Sequence, residues 1–312
     1  MEMPYNDIIR KFIDMYAGRL RNQVSFMLSA CNFYMPIFEE ALDAYGLPLE
    51  LRYLPIIESA LNPSAVSRAG ASGLWQFMIG TGKIYGLESN SLVDERRDPI
   101  KATWAAARYL KEMYDIYGDW NLVIAAYNCG PGTINKAIRR ANGETDYWKI
   151  YNYLPKETRG YVPAFIAANY VMTYYCDHNI CPMETNIPAS TDTVQVNKNL
   201  HFEQIADLCN VPLDQIKSLN PQYKKQMIPG DSKPYTLRLP IDAISTFIDK
   251  QDTIYTHRAD ELFRNRKTVA VKDITPATRK TTSAVAGKGN LTYYTIKSGD
   301  TLSTIAGKYG VS

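Results

Sequence analysis

At 312 residues the chain exceeds the usual span of one domain, so two or more domains are expected. Apolar residues at 46% and charged residues at 21% give an ordinary globular composition with material for a core, and no apolar run approaches the ~20 residues of a bilayer-spanning helix. The net charge of +3 is too small to argue for nucleic acid; the basic excess gathers in residues 258–288, with eight Lys or Arg against three Asp or Glu, and reads first as a solvated linker and second as attraction to an anionic surface.

Residues 5 to about 45 carry apolar side chains at helical spacing, among them Ile8, Ile9, Phe12, Ile13, Tyr16, Leu20, Val24 and Met27. Gly46-Leu47-Pro48 interrupts the pattern, and Pro48 with Glu50 behind it opens a new helix that runs through Leu51, Leu54 and Ile57 to about Asn62-Pro63. A glycine-rich stretch follows over residues 70–86. Asp98-Pro99 opens a helix through Leu110 and Tyr114, another covers residues 122–127, and Gly130-Pro131-Gly132 reads as a turn. A last helix is expected over residues 162–175. Few segments alternate with period two, so this first region reads as all-α.

The character changes after Pro182. Ile187-Pro188-Ala189-Ser190 reads as a linker and Thr193-Val194-Gln195-Val196 as a short strand. Helices over 202–209 and through Ile216 to Leu219 follow, and Tyr235-Thr236-Leu237-Arg238-Leu239-Pro240 closes a small α+β unit as a second strand. Residues 275–290 are Thr, Ser, Ala, Gly and Lys in bulk, a flexible linker by composition. Beyond them Tyr294-Thr295-Ile296 through Ile305-Ala306 parallels Val194-Gln195-Val196 through Ile205-Ala206, a repeat of strand, polar turn and helix whose second copy is cut short at Ser312.

The five cysteines match no zinc spacing and His178, His201 and His257 are scattered, so neither a metal nor any other cofactor is expected. Cys176 and Cys181 are near enough to pair, but buried free thiols are the first expectation. Met1-Glu2-Met3-Pro4 lacks the basic region and apolar run of a secretory leader, so any export signal is expected outside this chain.

Four clusters in the helical region carry chemistry. In Leu54-Pro55-Ile56-Ile57-Glu58-Ser59-Ala60 a carboxylate follows apolar positions near a helix end, where partial desolvation would raise its pKa toward that of a usable acid. By itself Glu58 is read as an exposed helix glutamate. Gly70-Ala71-Ser72-Gly73-Leu74-Trp75-Gln76-Phe77-Met78 supplies close backbone approach, an aromatic wall and an amide, or simply a tight turn that packs its aromatics. Ala125-Ala126-Tyr127-Asn128-Cys129-Gly130 ends a helix with an amide, and Glu157-Thr158-Arg159-Gly160-Tyr161 places a tyrosine at the start of the last helix.

Taken in order across roughly residues 47–175, the four clusters closely resemble the catalytic domain of the soluble-type lytic transglycosylases, within them the membrane-bound lytic transglycosylase D branch. The tail repeat resembles the LysM module, a βααβ unit that binds glycans containing N-acetylglucosamine. The resemblance implies an all-α lysozyme-like catalytic domain over residues 1–185 with N-terminal supporting helices, and a degenerate LysM-like module over 191–242. It is followed by a helical or irregular segment at 243–274, the linker at 275–290 and the start of a truncated LysM module at 291–312. It implies cleavage of the MurNAc-GlcNAc bond of peptidoglycan without water, with Glu58 as catalytic acid and then base. Ser59 and Tyr161 would orient Glu58 or the sugar beside it. Gln76 and Asn128 would bond N-acetyl groups, and Trp75, Met78 and Tyr127 would belong to the glycan cleft.

No second acid lies inside the four clusters; Asp94, Glu95 and Asp98 read as capping residues of a charged loop and helix start. The partner implied is a peptidoglycan strand in the periplasm, with any membrane anchor, such as that of an outer-membrane lipoprotein, outside this chain. The first module carries Asn197-Lys198-Asn199-Leu200-His201-Phe202 where the second has Lys297-Ser298-Gly299-Asp300-Thr301-Leu302, and loss of the Gly-Asp pair puts its glycan binding in question. A goose-type lysozyme that hydrolyses the same bond, and a non-catalytic wall-binding protein, are the rival readings.

Overall fold

The computed structural model describes residues 1–264 apart from Asn186 and Ala189. The linker at 275–290 and the repeat copy that begins at 291 lie outside the described residues. The first region is all-α. Helix α1 (Asp7–Ala17) starts under an Asn6 cap whose side chain accepts from the Ile8 and Ile9 amides, both at 3.0 Å. The helical pattern over 5–45 divides at Gly18, and α2 (Arg21–Ala44) resumes at another angle. Arg21 fixes the corner by donating to the carbonyls of His178 and Asn179 at 2.7 and 2.5 Å.

The segment opened by Pro48 begins as a 3-10 helix, Leu49–Tyr53, and continues as α3 (Leu54–Ser59). It stops short of the expected Asn62-Pro63 because Ala60 and Leu61 both adopt left-handed backbone, φ 51° and 58°. A short helix, α4 (Ile79–Ile84), lies within the glycine-rich stretch. Asp98 caps α5 (Pro99–Tyr117) through the Ile100 and Lys101 amides, and α6 (Trp120–Cys129) follows. Gly130 makes the turn, but Pro131 opens α7 (Pro131–Arg140), since a proline loses nothing at a first helical position.

After α8 (Tyr147–Ile150), α9 (Lys156–Thr173) begins six residues before the expected start, which places Tyr161 in its second turn rather than at its opening. Pro163 removes the amide that would bond the Arg159 carbonyl, and the Tyr147 hydroxyl donates to that carbonyl instead, at 2.9 Å. The helix therefore continues through its proline. Helices α1, α3 and α6 all pack on α9, around a core that includes Phe38, Leu54, Trp75, Ile124 and Phe165.

The second region is α+β. Strands β1 (Thr191–Val196) and, later, β4 (Tyr235–Pro240) pair antiparallel with Val194 opposite Leu237. Between them lie β2 (Asn199–His201), α10 (Phe202–Cys209), α11 (Leu213–Leu219) and β3 (Met227–Pro229). The β2–β3 ladder, only three residues long on each strand, is an addition to the strand-helix-helix-strand order read from the sequence. Helices α12 (Ile241–Asp249), α13 (Gln251–Thr256) and α14 (Ala259–Leu262) follow. This region has its own core, built on Val196, Phe202, Ile205, Leu237 and Phe247, and that core also takes in Leu92 and Val93 from the first region.

All five cysteines are free; Cys209 is buried, while Cys176 and Cys181 are exposed rather than buried. No described helix is long and apolar enough to cross a membrane.

Candidate active site

Glu58 is the penultimate residue of α3, a helix whose Leu54, Pro55 and Ile56 are buried. Its side chain is half-buried, and the Tyr161 hydroxyl donates a hydrogen bond to its Oε1. Burial pushes the carboxyl up to about 7; the Tyr161 hydrogen bond pulls the other way, and the negative charge of Glu157 adds a further upward push. At neutral pH a large share of Glu58 thus carries a proton it can give away. Burial first, and the charge of Glu58 second, hold the Tyr127 and Tyr161 phenols well above the ordinary tyrosine range, so both stay donors.

The glycine-rich loop closes one side of this centre. Ser59 is buried, and its hydroxyl lies 3.0 Å from the carbonyls of both Pro55 and Leu74, tying the end of α3 to the loop rather than facing Glu58. Gln76 takes left-handed backbone, φ 48°, and its amide donates to the Gly73 carbonyl at 2.7 Å and more weakly to that of Ala65 at 3.3 Å. Tyr127, on α6, donates to the Trp75 carbonyl at 2.7 Å. Asn128 accepts from the Thr158 hydroxyl at 2.9 Å, joining the ends of α6 and α9.

Trp75 corrects the expectation of a cleft wall. It is 0% exposed, packed edge-on against Phe38 at 5.3 Å, with its indole N–H bonded to Thr103 at 2.9 Å. A ring buried to that degree cannot meet a glycan, and only its carbonyl serves the site. Met78 is 46% exposed at the entrance to α4.

A cleft of about 430 Å³ runs past Glu58, Ser59 and Gln76. Its other wall comes from the N-terminal helices and their junction, through Tyr16, Leu20, Gln23 and Met27. Sequence reading treated these helices as support only. The four residues recur at spacings of four, three and four, but Tyr16 lies on α1 and Gln23 and Met27 on α2, so the wall they share depends on the bend at Gly18 and not on one helical stripe. Glu58 is the sole acidic residue among those lining this cleft.

The loop is held from behind by Arg96, which the sequence did not single out. Its guanidinium forms a two-pronged pair with Asp94 at 2.9 and 2.8 Å and donates to the carbonyls of Gly70 and Phe77 at 2.8 and 2.9 Å. Asp94, expected only as a cap, does accept from the Arg96 amide at 3.3 Å, but its main engagement is this fork.

Residues 35–150 match the Transglycosylase SLT domain, residues 190–256 the LysM-like domain of lytic transglycosylase MltD, and residues 294–312 the LysM domain. The chain is similar to membrane-bound lytic murein transglycosylase D of Escherichia coli (strain K12), 31% identical over 100% of this chain and 65% of that protein. It therefore spans about two thirds of that relative's length. It is also similar to soluble lytic murein transglycosylase of the same organism, 33% identical over 38% of this chain and 19% of that one. The crystal structure of the 70 kDa soluble lytic transglycosylase from Escherichia coli matches with a TM-score of 0.40 and 29% identity, covering 46% of this chain and 24% of that chain.

Proposed function

For a chain whose residues 35–150 are an SLT-type transglycosylase domain and whose residues 190–256 are an MltD-type LysM-like domain, we propose a lytic transglycosylase of peptidoglycan with Glu58 as its acid and base. The observation that carries this reading is a single half-buried carboxyl, poised near neutrality and bonded to Tyr161, in a cleft with no second acid in its lining. Glycosidases that use two carboxylates set them on either side of the bond, one to protonate the leaving oxygen and one to attack or to activate water. With one carboxyl, the substrate must supply the rest.

Glu58 gives its proton to the glycosidic oxygen between MurNAc and GlcNAc, and the N-acetyl group of MurNAc stabilises the cationic C1. The ionised Glu58 then takes the proton of the C6 hydroxyl as that oxygen closes on C1, leaving a 1,6-anhydroMurNAc end. Tyr161 steadies the carboxylate between the two steps through its donated hydrogen bond. Gln23 and Gln76 offer amides to the sugars; because the Gln76 N–H groups are spent on the loop, its Oε1 is the atom left to accept from a substrate N–H. Met27 and Leu20 give the cleft its apolar wall. Such a substrate lies in the cell wall, and the proposal sets the protein there, in a periplasm.

The goose-type lysozyme reading differs only in the final acceptor, and digestion of peptidoglycan in water labelled with heavy oxygen separates the two. The transglycosylase puts no label into the new glycan ends. One labelled oxygen per cleavage would make the protein a hydrolase.

A further inference from the structure

The second region is joined to the first by more than chain connection. Residues 88–97 form a strap between the two cores. At one end Leu92 and Val93 are 4% and 1% exposed inside the core of the LysM-like module. There Val93 bridges Tyr223, the Lys224 amide donates to the Leu92 carbonyl at 2.8 Å, and the Asp94 amide donates to that of Gln222 at 2.9 Å. The Lys224 ammonium reaches the Asn90 carbonyl at 2.7 Å, and Glu88 takes Lys233 at 2.6 Å and the Tyr235 hydroxyl at 3.1 Å.

At the other end the strap grips the glycine-rich loop. Arg96 holds the carbonyls of Gly70 and Phe77, and Arg97 donates to the Ser72 hydroxyl at 3.1 Å. The contact is so close at Gly73 that a Cβ there would lie 1.7 Å from the Arg96 carbonyl oxygen. Between those anchors, the loop's Leu74 and Trp75 carbonyls receive Ser59 and Tyr127, and Gln76 lines the cleft beside Glu58.

We propose that the LysM-like module is a positioning part of the active site: it locks the strap through Leu92 and Val93, and the Asp94–Arg96 fork passes that constraint to the loop that holds Glu58 and Gln76 in place. Arg96 and Asp94 are then positioning residues that never touch substrate. The module works as a brace, a role that needs none of the Gly-Asp turn its sequence lacks. The inference rests on the proposed transglycosylase reading.

The test uses Leu92→Ala, Lys224→Met and Arg96→Lys in the full chain, with Ile254→Ala as the control. Ile254 is fully buried in the same module core, on α13, and makes none of the strap hydrogen bonds. Initial rates of anhydro-end formation are read on soluble, uncrosslinked peptidoglycan strands across concentration and pH, below each variant's melting transition. Misplacing the loop by a fraction of an ångström should lower kcat about tenfold with KM within about twofold in Leu92→Ala and Arg96→Lys, and less in Lys224→Met. The basic limb of the pH profile should move with kcat in these variants, and the Leu92→Ala/Arg96→Lys double variant should lose less than the product of the single losses. Ile254→Ala should lose melting temperature and keep its kcat. Folded Leu92→Ala or Lys224→Met with wild-type kcat and pH profile overturns the brace alone, as does an equal kcat loss in Ile254→Ala. If Leu92→Ala does not fold, Lys224→Met and Arg96→Lys carry the same test. A wild-type chain that gives no anhydro ends overturns the transglycosylase reading and the brace with it.

Discussion

Glu58 keeps its proton near neutral pH because of where α3 ends. The helix delivers it from an apolar body to the edge of a cleft, and burial raises its carboxyl to about 7 against the pull of Tyr161. Two predictions belong to this residue pair. Because the acid form starts the proposed reaction, kcat/KM should fall on the basic side with a midpoint near 7. Tyr161→Phe removes a hydrogen bond that favours the charged form, so that midpoint should move to higher pH while kcat drops by about tenfold or more, seen in pH–rate profiles. A third prediction concerns stability. The folded-state value of Glu58 lies above its ordinary one, so its contribution to stability is fully present below about 4.5 and is lost as pH rises through about 7. Glu58→Gln escapes that loss. It should gain on the order of 1–2 kcal/mol over wild type between pH 4 and pH 8 in denaturant titrations, the figure being reduced for the solvent-exposed part of the side chain. A variant that gains nothing with pH would show that the carboxyl is not desolvated. The apolar neighbours of Glu58 did not single it out; the ordered set of four clusters did, and the resemblance they carry set Tyr161 to orient Glu58 or the sugar beside it. The hydrogen bond itself spans 103 positions of chain and depends on where α9 begins.

At the scale of the element, the helix starts with strong local chemistry were legible: Asp98 with Pro99 opened α5 as expected. Ends set by tertiary packing were not. Two successive left-handed residues terminate α3, and nothing in Ala60-Leu61 announces them. The same holds for Trp75, whose neighbours suggested a sugar platform until the fold buried it beside Phe38. Trp75→Phe should therefore cost about 2 kcal/mol in unfolding experiments through lost packing. Its effect on KM for glycan strands should be small by comparison; a large rise in KM with unchanged stability would restore the ring to the cleft. Gly73 is a glycine for two reasons, its φ of +87° and its contact with the Arg96 carbonyl. Gly73→Ala should destabilise the protein by about 3 kcal/mol or more, checked by thermal melts, because neither backbone can give way without breaking the Arg96 clamp.

The whole molecule joins an all-α domain to an α+β module through shared core residues. Each class was readable from periodicity, helical over the first region and alternating in β1 and β4. Their union was not, because Leu92 and Val93 sit in a charged loop whose apolar residues match no helical or strand pattern, and only the fold shows them entering the neighbouring core. The N-terminal helices were likewise legible as helices but not as a wall of the cleft, which needs the bend at Gly18. The measurement that bears most directly on the central claim is mass spectrometry of the muropeptides released from purified peptidoglycan by the wild-type chain and by Glu58→Gln, both shown to be folded. Anhydro-muropeptides from the wild type, and none above background from the variant, are the result expected. Reducing-end products from the wild type, or anhydro products from Glu58→Gln at a near-normal rate, would contradict it.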